Sequence, residues 1–421
     1  MTNLELFIQV LISLILIIFM AQIVGRAITY LGQPSVVGEM IAGVILGPTV
    51  FGYFLPELSA KVLPQEIMPT LFIISNLGLA IYMFLVGAEL NLELFSKRVV
   101  KDATALSIAA IVVPFFMGGL AAYLFNDEIN AMNIDKTSLF IFLGSALAIT
   151  AFPMLARILQ EENIVNSRIG VLSILSASIQ DIFSWILLGL VVIMCTTHVY
   201  TAVWLMLAGV TGLTLVLFYI VRPLLSSMAS KIERFEDLSS LNFGIVILLL
   251  LVCALITDVL GLYSVFGGFI LGVSLPRKGF FIQAISMRIK DFTVIAFLPV
   301  FFTFSGLNTN FLHLGNITLL VPTIVIFLFA FASKYLSCML TMRYVSGFSW
   351  RESSAIGGLV NSRGLMELII ANIGLSYGLI NHDLYSILVL IAVGSTLAAL
   401  PIYRLSMWKG GFIYKNLAGR L

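Results

Sequence analysis

Apolar stretches of roughly 20 residues alternate along this chain with short polar gaps, from its first residues to about residue 406. A helix of that length crosses the hydrocarbon core of a bilayer, about 30 Å thick. The pattern predicts thirteen spans, at 4–25, 36–53, 68–87, 103–125, 137–159, 168–195, 199–221, 240–257, 261–275, 292–307, 316–342, 353–378 and 384–406. The softest boundary separates the eighth from the ninth, where "DVLGLYS" leaves room only for a tight turn. The chain reads as an all-α polytopic membrane protein embedded in a lipid bilayer.

Composition agrees: 60% of the 421 residues are hydrophobic and 10% charged, where soluble domains carry about 25% charged residues. Of the 23 Lys and Arg, nineteen fall on one side of the predicted spans, among them Lys97, Arg98, Lys101, Arg277, Lys278, Arg288, Lys290 and Arg404. Lys61 and Lys136 fall on the other side, and Lys334 and Arg363 lie within spans. Basic loops stay cytoplasmic, which places the carboxyl terminus inside and the amino terminus outside a cytoplasmic (inner) membrane. A miscounted span would scramble this asymmetry, so count and orientation support each other. The amino terminus lacks a basic leader and a small-residue cleavage site, so its first apolar run reads as a retained span. Cys195, Cys253 and Cys338 sit in apolar runs without metal spacing and read as packing thiols.

The sequence repeats itself. "AGVILG" at 42–47 returns as "GGFILG" at 267–272, and "FLVGAELN" at 84–91 is echoed by "FTFSGLNTN" at 302–310. Pro114 and Pro322 are 208 residues apart, and the same offset carries Pro153 to Asn361. Each pairing jumps seven spans, an odd number, so the two copies have opposite topology. Inverted repeats with interrupted helices in matching positions mark secondary transporters, which bind at the midplane.

Two spans carry such interruptions. In "LAITAFPMLARIL", Pro153 has no backbone donor and disfavours helix at Phe152, which frees backbone groups near Thr150. In "AIGGLVNSRGLMELI", Gly357, Gly358 and Gly364 loosen the helix around Asn361 and Ser362. Unpaired backbone at membrane depth is tolerated only inside protein or along a water-filled cavity. Facing breaks would turn helix ends and carbonyl oxygens toward an ion. An ordinary proline kink explains either break alone but explains a matched pair poorly.

"SASIQDIFSW" places one carboxylate, Asp181, deep in the sixth span. It lies thirteen residues past Arg168, about 20 Å along the helix at ~1.5 Å per residue. A charge there costs a few kcal/mol even on lenient scales, so it should face protein and carry function. One such acid, reachable from either side in turn, holds a proton or a cation but never both. The competing reading is a protonated structural acid capped by a hydroxyl such as Ser178.

At these motifs the chain resembles a known family. "AITAFPMLARIL", "SIQD", "LPVFFTFSGLNTN", "FASKYLSC" and "NSRGLMELIIANIG" are similar to the second branch of monovalent cation:proton antiporters. The likeness is to plant cation/proton exchangers and bacterial potassium-efflux antiporters, over essentially the whole chain. It implies the sodium/proton antiporter fold, with two crossed discontinuous helices, a homodimer and elevator-type alternating access. The implied layout is a dimer and gating bundle from 1–100 and 239–310, and a moving core from 101–196 and 311–408. Residues 197–238 form a linking helix and loop, and 409–421 a cytoplasmic tail. Asp181 would carry the ion with help from Thr150. Potassium-efflux relatives often carry a cytoplasmic nucleotide-binding regulatory domain, so such a domain, separate or beyond this sequence, is an expected partner.

One departure bears on selectivity. Sodium-type members have two adjacent acids in the sixth span, the first paired with a lysine in the eleventh. Here Gln180 replaces that first acid while Lys334 keeps the lysine position. One carboxylate suggests one proton per cation, hence electroneutral exchange, and a neutral Gln carbonyl suits potassium better than sodium. Lys334 reads either as a counter-charge for ionised Asp181 or as a structural donor to Gln180 or a carbonyl. Arg363 and Glu367, four apart on one helix face, read as a structural pair at the crossing. Glu39 lies near a cytoplasmic end, as a gate or a plain interfacial residue.

His198, His313 and His382 fall in predicted outer loops without second ligands at helical spacing, so no transition metal is expected. No cofactor is expected beyond the transported potassium or sodium and protons, and no basic patch suggests nucleic acid. An intramembrane aspartyl protease needs a second acid facing Asp181, and only Glu367 is available; a serine type needs a membrane-embedded His. A channel-like efflux protein or a proton-coupled organic-solute carrier on the same fold remains the alternative to exchange.

Overall fold

The structure, a computed structural model, describes all residues except 1, 90–96, 131, 166, 197–199, 231, 233–237, 261–263, 279, 310, 313–316 and 409–421. The predicted tail, His198 and His313 therefore lie outside the described residues. Every regular element among the described residues is helical. In chain order these are α1 (Asn3–Tyr30), α2 (Ser35–Leu46), α3 (Phe51–Phe54), α4 (Pro56–Val62), α5 (Met68–Glu89), α6 (Lys97–Leu124) and α7 (Asn126–Ile129). Next come α8 (Lys136–Ala148), α9 (Phe152–Glu161), α10 (Arg168–Thr196), α11 (Tyr200–Val216), α12 (Arg222–Ala229), α13 (Ser240–Val259) and α14 (Ser264–Ser274). The last are α15 (Phe281–Phe292), α16 (Leu298–Leu307), α17 (Ile317–Tyr344), α18 (Trp350–Val360), α19 (Leu365–Ser376) and α20 (His382–Met407). Among the described residues, eight helical stretches are long and apolar enough to cross a bilayer alone, and Lys136–Ala148, Ser264–Ser274 and Met366–Ser376 are shorter apolar helices. Of the five predicted spans not among these, the fifth and twelfth are broken in the middle, so neither half is long enough alone, and the ninth is the short α14.

Local chemistry sets several helix starts. Thr2 with Glu5, and Ser349 with Glu352, form reciprocal capping boxes at α1 and α18. The Ser349 hydroxyl, then its backbone N–H, hold the Glu352 carboxyl below its usual range. That contribution is complete above the ordinary glutamate range and is lost as pH falls through the lowered value. Asp135 and Asn381 cap α8 and α20 through their side chains.

The chain divides into two units. The first comprises Met1–Leu31, Gly38–Glu93 and Trp185–Leu312. Here α1 buries a single stripe, Val10, Ser13, Ile17, Ala21 and Gly25, while Phe7, Ile15 and Phe19 face outward. Glycines fix the crossings in this unit. A Cβ on Gly43 would strike the Phe302 carbonyl, one on Gly47 the Gly306 carbonyl, and one on Gly306 the Gly43 carbonyl. A Cβ on Gly268 would strike the Ala80 carbonyl and one on Gly272 the Phe84 carbonyl, while Gly87 meets Phe269. The two sequence repeats thus have one packing role: α2 lies on α16 as α14 lies on α5. Small residues permit this approach, which van der Waals contact stabilises where lipid supplies no hydrophobic drive.

The second unit comprises Gly32–Val37, Leu94–Ser184 and His313–Leu421. Within it α6 packs on α8 and α17, and α18 on α17 and α20. Pro114 and Pro322 lie inside α6 and α17. Residues 149–151 separate α8 from α9, and 361–364 separate α18 from α19. Gly357 and Gly358 do not loosen the helix; both lie inside α18, against Tyr335 and Ile402. Gly364 does the conformational work at the break, with φ +156° and ψ −122°, a region that only glycine occupies readily.

Overpacking a tight crossing should destabilise by about 1–3 kcal/mol. Gly306→Leu is therefore expected to lower the thermal unfolding temperature in detergent, whereas Gly212→Leu, with nothing within 4 Å of its Cβ position, should leave it unchanged.

Candidate functional site

An α-helix leaves its last four carbonyls without intrahelical partners. At membrane depth that deficit must be met by protein. The end of α8 meets it with two buried cations. The Lys334 ammonium, from α17, donates to the carbonyls of Ala148 and Ile149, both at 2.7 Å. The Arg363 guanidinium donates through Nη2 to Leu147 at 2.7 Å and Ala330 at 3.0 Å, and through Nη1 to Ala146 at 3.3 Å. Four consecutive carbonyls, 146 to 149, are thereby satisfied. Both side chains are fully buried. Glu367, one turn beyond Arg363, accepts from its Nη1 at 3.3 Å in a buried pair.

The end of α18 is satisfied without charge. Its Gly358 and Leu359 carbonyls accept from the backbone N–H groups of Asn361 and Ser362. Its Val360 carbonyl lies 3.2 Å from the Thr150 hydroxyl, whose single hydrogen is directed to the nearer Gln180 oxygen at 2.6 Å. The two breaks touch directly, since the Ala151 N–H points to the Ser362 carbonyl at 3.4 Å. Asn361 donates to the Phe331 carbonyl at 3.1 Å. Thr396, on α20, brackets the second break: it accepts from the Arg363 N–H at 3.0 Å and donates to the Arg363 carbonyl at 2.7 Å.

Asp181 lies on α10, fully buried in the same unit. Neither of its carboxylate oxygens has a hydrogen bond of good geometry among the described residues. The backbone N–H of Phe152, at the start of α9, is turned toward it, and Lys334 lies within electrostatic reach. The acid therefore faces a helix amino end and the two basic side chains a helix carboxyl end, the placement that helix dipoles favour. Beside it, Gln180 accepts from the Thr150 hydroxyl at 2.6 Å and donates to Ser176 at 3.0 Å.

Among the sequence candidates, Thr150, Gln180, Lys334, Asn361, Arg363 and Glu367 gather around the two breaks, and Phe152 turns its N–H to Asp181. Pro153 is the second residue of α9. The Ser362 hydroxyl is buried without a hydrogen bond among the described residues. Ser178 does not cap Asp181; its hydroxyl donates to the Ile174 carbonyl at 2.8 Å. Lys334 bonds two carbonyls of the fifth span and also lies within electrostatic reach of Asp181. Glu39 is buried in α2, in the first unit. Sequence reading missed Ser107, Ser176 and Thr396. Of these only Ser176, one helical turn before Gln180, carried a spacing signal.

Lys334→Met should leave two buried carbonyls unpaired, and Arg363→Met should also strand Glu367. The second loss is expected to reach about 3–5 kcal/mol, read as a large fall in unfolding temperature in detergent. Lys334→Gln, which keeps an N–H donor, should lose clearly less than Lys334→Met.

Comparison with known proteins matches residues 11–404 to the family model described as sodium/hydrogen exchanger, transmembrane. The chain is 32% identical over 396 residues to the Na(+)/H(+) antiporter NhaS4 of Synechocystis sp., covering 93% of this chain and 96% of that one. It is 30% identical over 402 residues to Cation/H(+) antiporter 17 of Arabidopsis thaliana, covering 95% of this chain and 48% of that one. It is likewise 30% identical over 403 residues to K(+)/H(+) antiporter 1 of Saccharomyces cerevisiae, covering 93% and 45%. The chain thus spans about half the length of these plant and yeast relatives. Its fold matches the solved sodium proton antiporter MjNhaP1 of Methanocaldococcus jannaschii with a TM-score of 0.65, at 18% identity, over 95% of this chain and 97% of that one.

Proposed function

The chain belongs to the sodium/hydrogen exchanger family of multi-pass membrane transporters, and from that premise we propose that it exchanges a monovalent cation for protons, with Asp181 as the shared site. The observation that carries this is the state of Asp181: buried, without a good hydrogen bond among the described residues, and turned to the amino end of a broken helix. A carboxylate so placed discharges its desolvation cost by taking either a proton or an alkali cation. Thr150 and Gln180, joined to each other at 2.6 Å, are the neutral oxygen ligands in this reading.

Four finer features complete the proposal. Exchange is electroneutral, one proton per cation, because Asp181 is the single acid not paired with a cation at the breaks. Potassium is favoured over sodium, because an amide rather than a second acid sits at position 180. The second unit moves as the carrier while the first forms the gating and dimer side. The protein lies in the cytoplasmic membrane with its amino terminus outside, following the distribution of Lys and Arg.

The test is ion-stimulated proton release from reconstituted vesicles, across lithium, sodium, potassium and rubidium. Asp181→Asn is expected to fall to the protein-free baseline; undiminished exchange would overturn the site. Gln180→Glu, which restores the acid pair of sodium-type members, is expected to shift preference toward sodium. A transmembrane current during wild-type exchange would remove electroneutrality, and a response to sodium alone would remove the potassium preference.

A further inference from the structure

We propose that Ser107 and Ser176 decide which end of the Gln180 amide faces Thr150, and thereby set cation affinity at the Asp181 site. The proposal rests on the exchange reading above and adds two positioning residues to it.

Four buried polar side chains form one chain of hydrogen bonds across α6, α10 and the first break. The Thr150 hydroxyl is 2.6 Å from the Gln180 oxygen. That length suits O–H···O; N–H···O bonds centre near about 2.9–3.0 Å. The amide oxygen therefore faces Thr150 and the amide nitrogen faces Ser176, at 3.0 Å. Ser176 and Ser107 hydroxyls are 3.0 Å apart. Ser107 in turn lies 2.7 Å from the Ala103 carbonyl and 3.0 Å from the Ser176 carbonyl.

A hydroxyl donates one hydrogen and accepts through two lone pairs. Ser107 gives its hydrogen to a backbone carbonyl, since carbonyls only accept. Its lone pairs then accept from Ser176, and those of Ser176 accept from Gln180. The hydrogens run one way, from amide to Ser176 to Ser107 to backbone. This direction holds the Gln180 oxygen on the side of Thr150, where it adds negative potential for a cation.

The reversed chain is the alternative state. With the amide turned over, Ser176 donates to the Gln180 oxygen, and the amide nitrogen faces Thr150. Two N–H hydrogens then point where a cation must sit, which repels it. Ser107 prevents this by taking the Ser176 hydrogen. Ser107→Ala removes that acceptor and releases the Ser176 hydrogen to the amide oxygen, which favours the turned state.

The experiment measures the apparent KM and maximal rate for potassium in reconstituted vesicles. Ser107→Ala is expected to raise KM about tenfold, the scale of one net hydrogen bond, with a much smaller change in maximal rate. Ser107→Thr, which keeps the hydroxyl, should restore KM. Ser176→Ala removes the pin without freeing a competing donor, so it should raise KM by a smaller factor. Because Ser107 acts through Gln180, Ser107→Ala should add nothing in a Gln180→Ala background. An unchanged KM in Ser107→Ala, an additive effect in that background, or a loss of maximal rate alone would overturn the proposal. Wild type that exchanges cations beside an unaffected Ser107→Ala defeats this inference only. Wild type that moves no alkali cation defeats the exchange reading with it. Should Ser107→Ala fail to fold, the Ser176→Ala KM decides: a wild-type value overturns the proposal.

Discussion

Two buried cations closing the carboxyl end of one half-helix are the contact on which the site depends. Carbonyls 146 to 149 sit where no lipid group can bond them. Lys334 supplies two hydrogen bonds and Arg363 supplies the rest. With either removed, α8 would have to rewind through Thr150 or admit water. The break between α8 and α9 would then no longer hold the Thr150 hydroxyl and the Phe152 N–H in place. The chemistry of Asp181 is thus supported by charges that bond backbone rather than the acid itself.

This arrangement separates opposite charges by helix polarity. Lys334 and Arg363 are spent on the negative end of α8, and Asp181 faces the positive end of α9. A direct Lys–Asp ion pair would hold the carboxylate ionised and closed to other cations. A lysine that donates to carbonyls leaves both carboxylate oxygens of the acid without a hydrogen bond among the described residues. The other break is closed by neutral donors, the backbone N–H groups of Asn361 and Ser362. The crossing is therefore lopsided, with basic side chains closing one break and backbone N–H groups the other.

The first unit solves a different problem. Its helices must stay together where neighbouring lipid is as apolar as they are. Gly43 and Gly306 on one crossing, and Gly87, Gly268 and Gly272 on the other, bring backbones to contact distance. Each copy of the repeat packs its glycine helix on the second motif of the other copy. The repeat is thus a reciprocal lock, and neither copy buries its small-residue face alone.

Much of this was legible in the sequence. Apolar run lengths marked the long helices, and glycine motifs marked the close crossings. Pro153 and the Asn361–Gly364 stretch marked the two breaks, and the isolated acid marked Asp181, because each feature is costly in a membrane without a local reason. Partner choice was not legible. Lys334 bonds Ala148 and Ile149, 186 and 185 positions away, and Ser107 bonds Ser176 across 69. Ser178 was the natural candidate to cap Asp181, yet it closes on its own helix. Sequence determines which groups would be expensive to leave unpaired; tertiary structure alone decides which distant carbonyl or hydroxyl satisfies each, because hydrogen-bond geometry exists only once the helices have crossed.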